Sequence, residues 1–168
     1  EMQTYATVKA LRKLRHDVEV LDFRLFESNH SLRSIVGRFL NAITPAQRTF
    51  EKFWKKYIKN ISCHYHNVAE LRNNPPKSDV YLVGSDQVWN EDITGDRSAA
   101  YLLDFGGENV KRISYASSIG VSEWNFSQSY TEMASKQFKK FVALSCREIT
   151  GANVLSQKFK LNVKQVLD

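Results

Sequence analysis

The sequence predicts an α/β fold, a Rossmann-like parallel sheet covered by helices on both faces. Short apolar runs of strand type alternate with amphipathic helical stretches along the chain. Several runs also empty into small polar residues and glycine, as strands do at the ligand-binding edge of an open parallel sheet. With 168 residues and 42% hydrophobic content, the chain is long enough to bury a real core and is not of disordered composition.

Taken in order, Tyr5, Val8, Leu11 and Leu14 form one stripe of a helix over 2–15. A strand follows at 18–23. Helices are expected near 31–41 and 46–60, divided by Pro45 with Thr44 as N-cap of the second. A helix at 64–73 ends against Asn73-Asn74-Pro75-Pro76. Strands are expected at 79–83, 112–116, 142–146 and 163–167, with helices at 130–140 and 148–158. Tyr101 to Phe105 fits either a short strand or an extended loop. One domain over 1–168 is the default, with a helical insertion at about 30–62.

The formal charge of +6 is uneven: residues 1–66 hold 12 Lys/Arg against 6 Asp/Glu, and residues 67–168 hold 12 against 12. The excess gathers between Arg33 and Lys59, where aromatic residues recur at helical spacing among the cations. One interpretation is an insertion that packs its aromatic face and solvates its basic face. The other is peripheral contact of residues 33–59 with anionic membrane or a diphosphate-linked lipid carrier. No nucleic-acid recognition motif accompanies the charge. No apolar run reaches the ~18 residues of a membrane span, no leader peptide is visible, and the expected location is cytoplasmic, at the inner face of the membrane if the basic helices touch it.

Cys63 and Cys146 lie far apart in unlike settings, which argues against a disulfide framework. Cys63-His64-Tyr65-His66 lacks the distant second ligand pair of a structural zinc site, and no metal is expected. The glycines form neither a dinucleotide fingerprint nor a P-loop, which argues against a nucleotide cradle of those types. Asn-x-Ser triplets at Asn29, Asn60 and Asn125 are short enough to arise by chance.

The richest segment is Asp79 to Asn90, where the strand Val80–Val83 leads through Gly84 into Ser85, Asp86, Gln87, Trp89 and Asn90. Asp86 can act as a base or bind a hydroxyl pair, while Ser85, Gln87 and Asn90 bring donors and acceptors. Trp89 can lie on the apolar face of a pyranose. This set suits a polyhydroxylated substrate. Each residue also has a plainer role: Ser85 or Asp86 as a helix cap, Trp89 as a core aromatic. Ser117 and Ser118 follow the next strand and either orient substrate hydroxyls or form a turn. Arg147 opens the last helix beside Glu148; it either meets an anion at the helix N-terminus or pairs with Glu148.

Extending the segment adds specificity. Tyr101-Leu102-Leu103-Asp104-Phe105-Gly106, Lys111-Arg112-Ile113-Ser114-Tyr115-Ala116-Ser117-Ser118-Ile119-Gly120 and Ala143-Leu144-Ser145-Cys146-Arg147-Glu148-Ile149-Thr150-Gly151 occur in order, after an opening Met2-Gln3-Thr4-Tyr5-Ala6. In that order they resemble the polysaccharide pyruvyl transferase family, over nearly the whole chain except residues 28–62. The resemblance implies the N-terminal half of a GT-B-like enzyme, with a first strand and a second domain outside this sequence and little turnover by this stretch alone. It further implies transfer of the pyruvyl unit of phosphoenolpyruvate, as co-substrate with no cofactor, to two hydroxyls of a sugar or lipid-linked saccharide in exopolysaccharide or cell-wall synthesis. Under it Asp86 is catalytic, Ser85, Gln87, Trp89, Asn90, Ser117 and Ser118 meet the acceptor, and Arg147 meets the donor. A nucleotide-sugar-dependent GT-B-like glycosyltransferase and a non-catalytic carbohydrate-binding partner are the alternatives.

Overall fold

The computed structural model describes residues 2–23, 52–53 and 56–167 and forms two compact units, Glu1–Asn67 and Val68–Asp168. The class is α/β with parallel sheets, Rossmann-like as the alternation predicts. Helices expected at 31–41, most of 46–60 and the cap at Thr44, and with them most of the insertion at 30–62, lie outside the described residues; 52–53 and 56–57 are helical.

In the first unit, helix α1 (Met2–Lys13) precedes strand β1 (Val20–Phe23), which pairs in parallel with β2 (Ile61–Tyr65). β2 corrects the expectation of a helix starting at 64. The stretch Ile61-Ser62-Cys63-His64-Tyr65 contains no strong helix former, and its backbone is satisfied by β1 instead. The helix starts three residues later, in the second unit, as α2 (Val68–Asn73).

The second unit carries a four-stranded parallel sheet in the order β3 (Val80–Val83), β4 (Lys111–Ser114), β5 (Phe141–Cys146), β6 (Val163–Gln165). The connection from β5 to β6 is α6 (Ile149–Phe159), and from β4 to β5 it is α5 (Gln128–Phe138). Between β3 and β4 run two short helices, α3 (Glu91–Thr94) and α4 (Ser98–Tyr101), joined by a 3₁₀ turn. Tyr101 to Phe105 is therefore the end of α4 and a turn, neither strand nor extended loop. Four-residue helices carry too few residues for a visible hydrophobic period, so the sequence pattern passes over them.

Trp89, Phe138, Leu102, Ile119 and Leu155 fill the core of this unit. Trp89 meets Phe138 edge to face at 4.9 Å, and Trp124 stacks on Tyr130 at 5.6 Å. Burial pushes the Tyr130 hydroxyl well above its ordinary range, reinforced by the negative charge of Glu91, and that hydroxyl donates to the carbonyl of Trp89 at 3.1 Å.

A charged residue completes the fold. Arg112, 2% exposed in the middle of β4, donates to the carbonyls of Leu103, Phe105 and Val110 at 3.0, 2.6 and 3.0 Å. Its charge is dispersed over carbonyl dipoles, and the loop 103–110 is fixed as a result. Where the β4–β5 register slips, two buried serines extend the pairing. Ser145 N–H donates to Ser114 Oγ at 2.8 Å, and Ser145 Oγ donates to the Ser114 carbonyl at 2.8 Å.

Candidate functional site

The loops after β3, β4 and β5 are tied together by their own backbones. Ser118 N–H donates to the Ser85 carbonyl at 3.2 Å, Trp89 N–H to the Ser118 carbonyl at 3.2 Å, and Arg147 N–H to the Ser117 carbonyl at 3.2 Å. Three strand ends thus form one rigid edge, on the side where parallel sheets bind ligands. Two positions need glycine for this. A Cβ on Gly84 would stand 2.1 Å from the Tyr115 carbonyl oxygen, and Gly120, at φ +69°, would place one 2.7 Å from the Gln87 side chain. Gln87 and Ala116, both at φ +49°, occupy left-handed backbone without being glycine. Such strain persists only where the surroundings enforce it, and it concentrates at working sites.

Against this edge lies a cleft of ≈ 410 Å³ lined by Asp86, Gln87, Ser118, Gly120, Arg147 and Glu148 together with the start of α6. Its size is that of a small-molecule site. A larger cleft of ≈ 540 Å³ sits at the other end of β3, around Pro75 to Asp79 and Gly107. It faces the amino end of β3, away from the edge where strained turns and charges meet.

Arg147 organises the cleft. Its Nη2 donates to Asp86 Oδ1 at 2.8 Å, and its Nε donates to Glu148 Oε1 at 2.8 Å. Of the two expected roles, the structure shows the pairing with Glu148; Arg147 also lines the cleft beside Asp86. Asp86 is the open member, with its side chain 59% exposed. Glu148 occupies the N-cap position of α6 yet makes no side-chain cap hydrogen bond there. Its Oε2 is shut off from solvent and has no hydrogen-bond partner. A half-satisfied carboxylate is costly, and its cost is carried by the packing around the cleft. The pairing of Glu148 with Arg147 is the one the sequence suggests, whereas its orphaned oxygen depends on packing and has no signal in the sequence.

The other expected residues divide. Ser118 lines the cleft, its Oγ accepting from Gly120 N–H at 3.1 Å, and Gln87 lines it while its Oε1 accepts from Asn90 Nδ2 at 3.2 Å. Ser85 stands behind the cleft, half-buried, through its carbonyl. Trp89 corrects its expectation: the indole is 0% exposed, donates from Nε1 to the Tyr101 carbonyl at 3.2 Å, and offers no face to a sugar. Asn90 and Ser117 are corrected likewise. Asn90 is buried and is the N-cap of α3, its Oδ1 accepting from Asp92 N–H at 3.1 Å, so the cap expected at Ser85 or Asp86 falls here. Ser117 is 0% exposed, with its Oγ donating to the Val83 carbonyl at 3.2 Å.

Beneath the cleft, Cys146 ends β5 in full burial. Desolvation, followed by the negative charge of Glu148, raises its thiol to about 12, so it is an inert core group. In the first unit, His64 Nδ1 lies 3.2 Å from Asp22 Oδ2, and the His64 and His66 rings meet at 4.3 Å. Among the described residues no group of three His, Cys, Asp or Glu side chains is placed to hold a metal ion. No helix among them is long and apolar enough to cross a membrane.

No curated protein and no solved structure matches the chain. The family model for polysaccharide pyruvyl transferase matches residues 1–168, the whole length. A parallel α/β unit with a charged cleft on its carboxyl edge, and a match running from end to end, place the chain in one family: it belongs to the polysaccharide pyruvyl transferases.

Proposed function

We propose that the protein transfers the pyruvyl unit of phosphoenolpyruvate onto two hydroxyls of a saccharide acceptor, forming a cyclic ketal and releasing phosphate during polysaccharide synthesis. The observation that carries this proposal is the coincidence, in one cleft, of Arg147, the N-terminus of α6 and the open carboxylate of Asp86. Arginine and helix amides attract an anionic donor, and a carboxylate takes sugar hydroxyls.

A proton joins the methylene carbon of phosphoenolpyruvate, leaving positive charge at C2. One acceptor hydroxyl adds there and gives its proton to Asp86. The second hydroxyl then forms the other C–O bond as the C2–O bond to phosphate breaks, and phosphate leaves with the remaining proton. In the resting cleft Asp86 and Glu148 both lean on Arg147. A donor phosphate or carboxylate that engages Arg147 competes with Asp86 and frees it for the acceptor hydroxyl. Glu148 acts as a positioning residue, holding the guanidinium at Nε. Gln87 and Ser118 orient the acceptor, and the proton donor to the methylene carbon belongs to a group outside the cleft residues described.

In this reading the fold is GT-B-like, the reaction cytoplasmic and the acceptor a sugar or a lipid-linked saccharide. Acceptor-dependent phosphate release from phosphoenolpyruvate by the full-length protein, over a panel of hexopyranosides and lipid-linked saccharides, tests the proposal. Release that Arg147→Lys weakens mainly through KM for phosphoenolpyruvate is expected. Binding of UDP-sugars without any phosphate release would assign a nucleotide-sugar donor instead.

A further inference from the structure

Within the first unit, α1 meets the segment around residues 52–57 through three aromatic rings. Tyr5 lies edge-on to Phe53 at 5.5 Å and to Tyr57 at 5.4 Å, and Phe53 packs on Tyr57 at 4.9 Å. These residues are about fifty positions apart in sequence, and their contact joins two basic surfaces that sequence alone leaves separate.

On α1, Tyr5, Lys9, Arg12 and Lys13 recur at helical spacing and share one stripe. On the other side Lys52 and Lys56 stand four positions apart, both in helical backbone, and Lys59 follows in the non-helical stretch 58–60. All six cations are exposed, and none is paired with a carboxylate among the described residues. Residues 2–16 and 52–59 contain no Asp or Glu at all. Lys9 and Lys56 lie over the rings of Tyr5 and Tyr57 at 5.7 and 5.0 Å, which keeps ammonium groups and aromatic rings on one surface. Apolar groups accompany the charge: Met2 and Tyr57 are 70% and 40% exposed.

A basic face that serves solubility alone gains nothing from exposed methionine and tyrosine. Cations with no carboxylate partner among the described residues, and with apolar side chains among them, are the composition of a surface that lies on anionic lipid. A soluble polyanion such as nucleic acid would use the charge and leave the apolar groups without a role. We propose that the face formed by α1, Lys52, Phe53 and residues 56–59 docks on the anionic phospholipid surface of a bilayer, peripherally, with the cations at the headgroups and Met2 and Tyr57 entering shallowly. The proposal is independent of the transferase chemistry.

The test is co-sedimentation of the full-length protein with vesicles of phosphatidylcholine alone and with phosphatidylglycerol added, at low and high salt. Binding to the anionic vesicles only, released by salt, is expected. Each cation near such a surface changes partitioning by roughly fivefold. The triple variant Lys9→Glu/Lys52→Glu/Lys56→Glu should therefore lose about a hundredfold or more while keeping its circular dichroism. Should the triple variant fail to fold, Lys9→Glu alone, at an exposed helix position, must still weaken binding by several-fold. Equal binding to neutral vesicles, binding unchanged by Lys9→Glu, or capture by heparin with no sedimentation on anionic vesicles would each overturn the proposal.

Discussion

Behind strands β3, β4 and β5, residues one to three positions apart enter opposite environments. Asp86 is open while Trp89 is fully buried, Ser118 lines the cleft while Ser117 bonds inward to Val83, and Arg147 faces Asp86 while Cys146 lies in the core. Left-handed Gln87 lies between Asp86 and Trp89, and left-handed Ala116 just ahead of Ser117. The carboxyl edge is thus a layer about one residue deep, with ligand chemistry on its outer side and stability on its inner side. Proximity in sequence to a catalytic candidate says little about which side a residue serves.

The largest expected effect is on the inner side. Trp89→Ala removes a wholly buried indole and its bond to Tyr101, and should cost about 3–5 kcal/mol by the usual range for large core truncations. Denaturant unfolding reads this directly; a loss below about 1 kcal/mol would mean that Trp89 is not core and would break the comparison.

The next effect is in pH. The folded state holds the Cys146 thiol at about 12 against an ordinary 9.0, because it favours the neutral form. That preference stabilises fully below about pH 9 and is lost as pH rises from about 9 to about 12, when the unfolded thiol ionises and the folded one does not. Stability should fall through this alkaline window, by an amount on the order of a few kcal/mol. Thiol alkylation separates the two cysteines: exposed Cys63 reacts in the native protein, and Cys146 only on unfolding. Rapid native labelling of Cys146 would contradict its placement.

A smaller effect belongs to Asn90, whose Oδ1 caps α3. Asn90→Ala should destabilise by about 1 kcal/mol, while Asn90→Ser should retain most of that. A change confined to acceptor KM, with stability intact, would return Asn90 to the cleft.

Much of the fold was legible because its signals are local. The strand Val80–Val83, its glycine exit and the amphipathic stretches that become α5 and α6 need only propensity and period to be read. β2 was not, since the segment Ile61 to Tyr65 is a strand by virtue of its pairing with β1 some forty residues earlier. Arg112 carried a faint signal, as a cation inside an apolar strand, but its partners are backbone carbonyls that no side-chain pattern reveals. In the cleft, Asp86, Gln87, Ser118 and Arg147 were readable as polar residues following strands. Trp89, Asn90 and Ser117 follow strands too, and what separates them is their burial in the folded chain, which composition does not encode.

The most direct measurement pairs unfolding with acceptor-dependent phosphate release for Asp86→Asn in the full-length enzyme. Asp86 is exposed and its ion pair with Arg147 lies at the surface, so stability should stay within about 1 kcal/mol of the parent. Phosphate release should fall by at least about a hundredfold, the scale of a lost general base. Activity retained in a stably folded Asp86→Asn protein would contradict the assignment of chemistry to the outer side of this edge.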